Sequence, residues 1–190
     1  MDKNPFKDVG NNWMFLLHPA LTTLLTACFE KRETITPVAW LMPLSGQPPL
    51  LTMALKPTRF SYRLLKGAGQ FALNLPFFAD AEKVWECGTT SGEDTDKFQR
   101  TGYTRISAEV VNAPLIGESA GFLECKLFDD RPYGDHRLIV GEVLRAVVRE
   151  DLFTDSFRHY PALLHIHKNL FLPPDWGRMN ICREKIKQVK

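Results

Sequence analysis

Short apolar runs separated by Gly, Pro and charged clusters dominate the chain, which is the spacing of a strand-rich protein. Leu21–Phe29, with its leucines and threonines, reads as a first strand. Glu30-Lys31-Arg32-Glu33 is a charged turn, and Thr34–Trp40 alternates as a second strand. Pro37 cannot donate to a ladder, so that strand belongs at an edge, in a bulge, or where something other than a strand meets the backbone. Ser45-Gly46-Gln47-Pro48-Pro49 reads as a turn and Leu50–Leu55 as a third strand. Thr58 is placed to cap a short helix over Arg59–Lys66, closed by Gly67. Phe71–Leu75 is strand-like. Asp80 and Asp94 are placed to cap helices over Ala81–Cys87 and Thr95–Thr101, stopped by Gly88 and Gly102. Strand-like runs follow at Ile106–Val111, Gly121–Phe128 and Leu138–Val148, the last long enough to bend, with Gly141 a natural place for the bend. Strands that do not alternate regularly with helices argue against a parallel doubly wound sheet. The pattern predicts a mainly β fold, an antiparallel β-barrel with peripheral helices, as a single domain over residues 1–190.

Composition sharpens this picture at three points. With 190 residues, 44% hydrophobic and 24% charged, the chain can bury a core without disulfide or metal staples. A formal charge of +2 gives no reason to expect a nucleic-acid partner, and the basic run at 183–190 reads as a solvated tail. Cys28, Cys87, Cys125 and Cys182 share no metal-ligand spacing, and read as buried or free thiols in a reducing, cytoplasmic compartment. Leu25-Thr26-Ala27-Cys28 resembles a lipoprotein cleavage box. The segment before it carries His18, Pro19 and Asp8, which suits a buried strand better than an export signal or a membrane span.

Three segments carry candidate chemistry. Thr34–Trp40, followed by Pro43-Leu44-Ser45, combines a proline-interrupted strand end with a tryptophan. It supplies unpaired backbone groups beside an apolar wall, or else is a plain edge strand with a core tryptophan. Lys56-Pro57-Thr58-Arg59-Phe60-Ser61-Tyr62 sets two cations and hydroxyls at a helix start, where free N–H groups and the dipole favour phosphate. Its plainer reading is a capped helix with surface charges. Gly88–Phe98 offers small residues for close backbone approach and Lys97 for an anionic group, or is simply a loop between helices. It lacks the spacing of a nucleotide P-loop.

In sequence order these pieces resemble the flavin reductase-like family, with its FMN-binding split barrel and flavoredoxins. The resemblance runs from about His18 to Arg149. It is carried by Pro37-Val38-Ala39-Trp40, Gln47-Pro48-Pro49-Leu50, Arg59-Phe60-Ser61-Tyr62, Phe71-Ala72-Leu73-Asn74-Leu75-Pro76 and Cys87-Gly88. Ser91-Gly92, Asp96-Lys97-Phe98, Ala113–Ser119, Leu123-Glu124-Cys125 and Asp135-His136-Arg137 through Gly141-Glu142-Val143 complete it. The resemblance implies FMN as cofactor. Thr34, where the family often has asparagine, is implied on the ribityl side. Thr36, Pro37, Val38, Ala39 and Trp40 are implied along the ring, and Arg59, Ser61 and Lys97 at the phosphate. Ser45, Lys56 and Phe171 are further implied contacts, and His136 a contact on the nicotinamide side. It also implies a homodimer.

Chemistry carried by a flavin accounts for the lack of any nucleophile–base constellation. A nicotinamide would stack on the flavin and pass hydride from its C4 to flavin N5. The expectation is an NAD(P)H-dependent reductase of flavin or another acceptor. A flavoredoxin-like carrier fed by a protein partner is the alternative. Beyond the resemblance, His159, His165 and His167 include a His-x-His pair without a carboxylate or cysteine companion, so no metal site is expected.

Overall fold

The structure is a computed structural model and describes residues 5–152 and 160–174. The described residues form twelve strands: β1 (Ala20–Leu21), β2 (Thr23–Phe29), β3 (Arg32–Val38), β4 (Leu41–Gly46), β5 (Pro49–Leu55) and β6 (Gln70–Asn74). They continue with β7 (Arg105–Ile106), β8 (Leu115–Ile116), β9 (Gly121–Tyr133), β10 (His136–Val148), β11 (Leu164–His167) and β12 (Leu170–Leu172). Three α-helices flank them: α1 (Phe60–Ala68), α2 (Ala81–Thr89) and α3 (Lys97–Thr101). The main sheet is antiparallel and seven-stranded, in the order β3-β2-β6-β9-β10-β5-β4. The predicted mainly β fold with peripheral helices is thus the observed one.

Alternation along β2 explains the layering. Leu25 and Ala27 join Met53, Phe71, Leu73, Cys125 and Ile139 in the core inside the curled sheet. Leu24 points to the other face, into a second cluster with Ile35, Val84, Cys87 and Phe98 that seats α2 and α3 on β3. The long β9–β10 hairpin bends where its register shifts between Val140 and Gly141, as Gly141 suggested. Pro37 lies on β3, an edge strand paired among the described residues with β2 alone, so its missing N–H disrupts no second ladder there. The Glu30-Lys31 turn that precedes it places both residues at positive φ, 50° and 63°.

Several element boundaries differ from those the sequence predicts. The first helix runs through Gly67 to Ala68 and is closed by Gly69 at φ 66°, whose N–H reaches the Leu65 carbonyl. Gly67 serves close packing instead, since a Cβ there would stand 2.7 Å from the Phe29 ring. Helix α2 likewise continues past Gly88 to Thr89, and α3 is capped by Asp96 rather than Asp94, with the Asp96 carboxylate accepting from Gln99 N–H. Leu41–Gly46 is a strand, which shortens the turn to Gln47-Pro48. The expected strand over Ile106–Val111 is reduced to Arg105–Ile106. Among the described residues no helix is long and apolar enough to cross a membrane.

Candidate functional site

A cleft of about 680 Å³ opens where edge strand β3, the end of β5 and the start of α1 converge. The end of α2 from Gly88, the loop over residues 90–93 and Lys97 form its opposite wall. Its volume suits a mononucleotide-sized ligand. Of the residues singled out from the sequence, Thr34, Thr36, Pro37, Val38, Ala39, Trp40, Lys56, Arg59, Ser61, Lys97 and His136 all border it. Ser45 does not, because it lies on β4 at the far edge of the sheet. Phe171 does not border it either. Its strand β12 pairs with β11, and its ring packs 5.4 Å from that of His165. Cys182, His159 and the basic run 183–190 lie outside the described residues.

The start of α1 is chemically open. Arg59 takes the N-cap position with extended backbone (φ −71°, ψ 137°) and no side chain caps the helix, so Thr58 does not play the expected part. The Phe60 and Ser61 amides are left without intrahelical partners, while the Tyr62 amide already donates to the Arg59 carbonyl at 3.1 Å. Ser61, in the same turn, is 1% exposed, and its Oγ has no hydrogen-bond partner. Uncapped amides, a buried unpaired hydroxyl and an arginine at one point suit a phosphate group.

Lys97 is 5% exposed, and its Nζ donates to the carbonyls of Ile35 at 2.7 Å and Cys87 at 2.6 Å. It therefore ties the edge strand to the end of α2 across the floor of the cleft. Burial lowers its pKa to about 8, with Arg59 pushing in the same direction. Cys87 also borders the cleft, and burial raises its thiol pKa to about 11, so it stays protonated at neutral pH.

The loop closes tightly on β3. A Cβ on Gly92 would collide with Thr34 Oγ1 and reach 3.3 Å from Phe60, so no larger residue fits there without displacing Thr34. Ser91 Oγ accepts from Glu93 N–H at 3.1 Å and fixes the turn. Arg32 donates to the Glu93 carbonyl at 2.9 Å, and Arg63 to the Glu93 carboxylate at 2.6 Å. Both guanidiniums stand over the Phe60 ring, 4.4 and 5.3 Å from its centroid.

On the opposite side Trp40 and His136 stand together, their rings 5.0 Å apart and tilted by 32°. His136 Nδ1 lies 2.7 Å from Asp135 Oδ1, and Asp135 also pairs with Lys56 at 3.4 Å. A second cavity adjoins the first here, sharing Trp40, Ala54, Lys56 and His136 and continuing to Trp13, Met14 and Tyr133.

His165 borders the main cleft without having been expected there. It arrives through the antiparallel pairing of β11 with β1, in which His165 faces Ala20. No local motif announces that pairing. Burial lowers the His165 pKa, and its Nε2 lies 3.1 Å from the Lys168 carbonyl. His167 instead packs its ring 4.2 Å from Phe15. Among the described residues no group of three or more His, Cys, Asp or Glu side chains is placed to hold a metal ion.

Comparison with known proteins gives a consistent result. The family model described as "Flavin reductase like domain" matches residues 15–171. An uncharacterized protein of Archaeoglobus fulgidus is 34% identical over 145 residues, covering 76% of this chain and 81% of that one. Among solved structures, the FMN-binding protein of Thermus thermophilus with bound 1-cyclohex-2-enone superposes with a TM-score of 0.78 at 26% identity. That match covers 92% of this chain and 94% of the other. Flavoredoxin from Methanosarcina acetivorans shares the fold, with a TM-score of 0.82 at 21% identity over 98% of this chain and 97% of its own.

Proposed function

From the premise that this chain belongs to the flavin reductase-like family, whose split-barrel fold it has, we propose that it binds FMN in the cleft beside β3. In this reading it moves electrons from NADH or NADPH to flavin or another acceptor. The observation that carries the proposal is the open start of α1, where free amides, Arg59 and the unpaired Ser61 hydroxyl meet on one cavity. They are the donor set a phosphate monoester needs. Bound FMN would supply the redox chemistry, accepting hydride from a nicotinamide and handing the electrons on.

The protein's own residues bind and orient. Arg59, Ser61 and the first amides of α1 hold the phosphate. Thr34 lines the ribityl side, while Thr36 to Trp40 form the wall along the ring. Lys97 keeps the two sides of the cleft in register through the Ile35 and Cys87 carbonyls and adds positive charge. His136 and Trp40, on the opposite side, face the place where a nicotinamide or acceptor would stack. The homodimer belongs to the same reading, supported by the exposed apolar residues near the second cavity, Trp13, Trp40 and Tyr133 among them.

The test is the visible absorption of the purified protein, supplemented with FMN where needed, before and after anaerobic NADH or NADPH. Flavin bands that bleach identify a reductase and its donor. Bands that persist turn the reading to a carrier reduced by a protein partner. If no FMN is retained or bound, the proposal is wrong.

A further inference from the structure

The phosphate end of the cleft has one feature that FMN binding alone does not require. The charged groups bordering the cleft are Lys56, Arg59, Lys97 and Glu93, so a single acidic side chain stands among three cations. Its placement is over-determined. The Ser91 turn fixes its backbone N–H, Arg32 its carbonyl and Arg63 its carboxylate. Arg63 is on α1 two residues beyond Ser61, and Gly92 seals the loop against Thr34 and Phe60. Glu93 is therefore held beside the first turn of α1 through Arg63, with its side chain 43% exposed where Ser61, on the same cleft, is buried. An exposed ion pair such as Arg63–Glu93 contributes little to stability. A fixed carboxylate beside an anion site does act on ligands, because like charges repel at short range.

We infer that Glu93 is a specificity-determining residue that restricts this site to flavins ending in one phosphate. This rests on the proposal that the cleft binds FMN. A monoester phosphate seated on Arg59, Ser61 and the α1 amides ends at the rim. A flavin bearing a diphosphate and a further nucleoside must carry its second charged phosphate outward past the Glu93 carboxylate. The Ser91 and Arg32 contacts hold its backbone, so the carboxylate stays near the rim even where the Arg63 contact breaks. The site discriminates by repelling the longer ligand as well as by attracting the shorter one.

The experiment measures dissociation constants of FMN, FAD and riboflavin by quenching of flavin fluorescence, for the wild-type protein and for Glu93→Gln, which keeps shape and removes charge. The wild-type protein is expected to bind FMN at least about tenfold more tightly than FAD. In Glu93→Gln that ratio narrows by about fivefold or more, the effect of one unit charge near a phosphate. Riboflavin, lacking phosphate, binds the two proteins alike. An unchanged FMN-to-FAD ratio in the variant overturns the inference while leaving the FMN site standing. Equal shifts for all three ligands also overturn it, since they would mark a general effect of the loop. Failure of the wild-type protein to bind any flavin overturns both this inference and the function it rests on.

Discussion

At the scale of single residues, Lys97 couples fold and site most directly. Its ammonium is removed from water yet held by two carbonyls, so its pKa falls to about 8 from the usual lysine value of about 10.4. The sign of the consequence follows from linkage. A bound phosphate favours the protonated form, so ligand binding raises this pKa and takes up a proton wherever the free protein has lost it. FMN affinity should therefore be level below pH 8 and weaken as pH rises through 8, by at most about tenfold per pH unit. Titration of FMN binding from pH 7 to 9.5 checks this. In Lys97→Met the affinity is lower throughout and the step near pH 8 is gone. A wild-type profile flat to pH 9.5 would remove Lys97 from the electrostatics of the site.

Ser61 and Lys97 were both marked by the sequence, but for different reasons than their environments reveal. A hydroxyl at a helix start suggests phosphate, and a lysine in a segment of small residues suggests an anionic group, wherever they occur. Only the fold shows that the Ser61 hydroxyl is buried without a partner, and that Lys97 spans two elements. Glu93 and His165 could not be singled out in this way. Glu93 matters through Arg32 and Arg63, which lie 61 and 30 positions away in sequence.

At the scale of elements, the strands of the main sheet other than β4 were legible because each alternates or forms a short apolar run between turn residues, whereas β4 carries Pro43 and Gly46. The predicted strand at Ile106–Val111 failed for an identifiable reason. Its apolar and β-branched residues suit a strand, but the backbone amides of Glu109 and Val110 donate to the Glu124 carboxylate at 3.0 and 2.7 Å rather than to a ladder. Glu124 is fully buried on β9, and Arg145 on β10 donates to its other oxygen at 2.8 Å. A long-range side chain thus took over backbone groups that local propensity assigned to a sheet.

This arrangement predicts the cost of breaking it. Arg145→Met leaves a buried carboxylate with two amides but no counter-charge, and such losses cost about 3–5 kcal/mol where the pair is fully buried. Arg145 is partly exposed and also reaches Glu109, so about 2–3 kcal/mol is expected here. Denaturant unfolding of the variant measures it. The double variant Arg145→Met/Glu124→Gln should recover part of the loss, because the stranded charge is gone. A loss below about 0.5 kcal/mol for Arg145→Met would show that the amides alone satisfy Glu124.

At the scale of the whole molecule, one apolar segment of the described residues stays largely exposed. The 3₁₀ segment Gly10–Leu17 contains Trp13, Met14, Phe15, Leu16 and Leu17, yet buries none of its residues. Trp13, Leu16 and Leu17 are 58%, 71% and 73% exposed. Trp13 and Met14 also border the second cavity, with the exposed Tyr133 and with Trp40 beside the flavin cleft. Scattered exposed apolar residues are ordinary, but three large ones on one short segment, continuous with an aromatic cavity, are the kind of patch that a partner covers. A second copy of the chain is the occupant the family resemblance implies, and a two-fold interface would use the same patch on both subunits. Light scattering at micromolar concentration should therefore give twice the chain mass of 21.7 kDa. The double variant Leu16→Asp/Leu17→Asp should shift the protein toward monomer without unfolding it, since neither side chain contributes to the core. Because Trp40 and His136 border both cavities, the monomeric variant should also bind FMN more weakly, by about tenfold if the interface covers that side of the cleft. A wild-type protein that is monomeric at 50–100 µM, or a dimer indifferent to both aspartates, would place the apolar segment against some other partner.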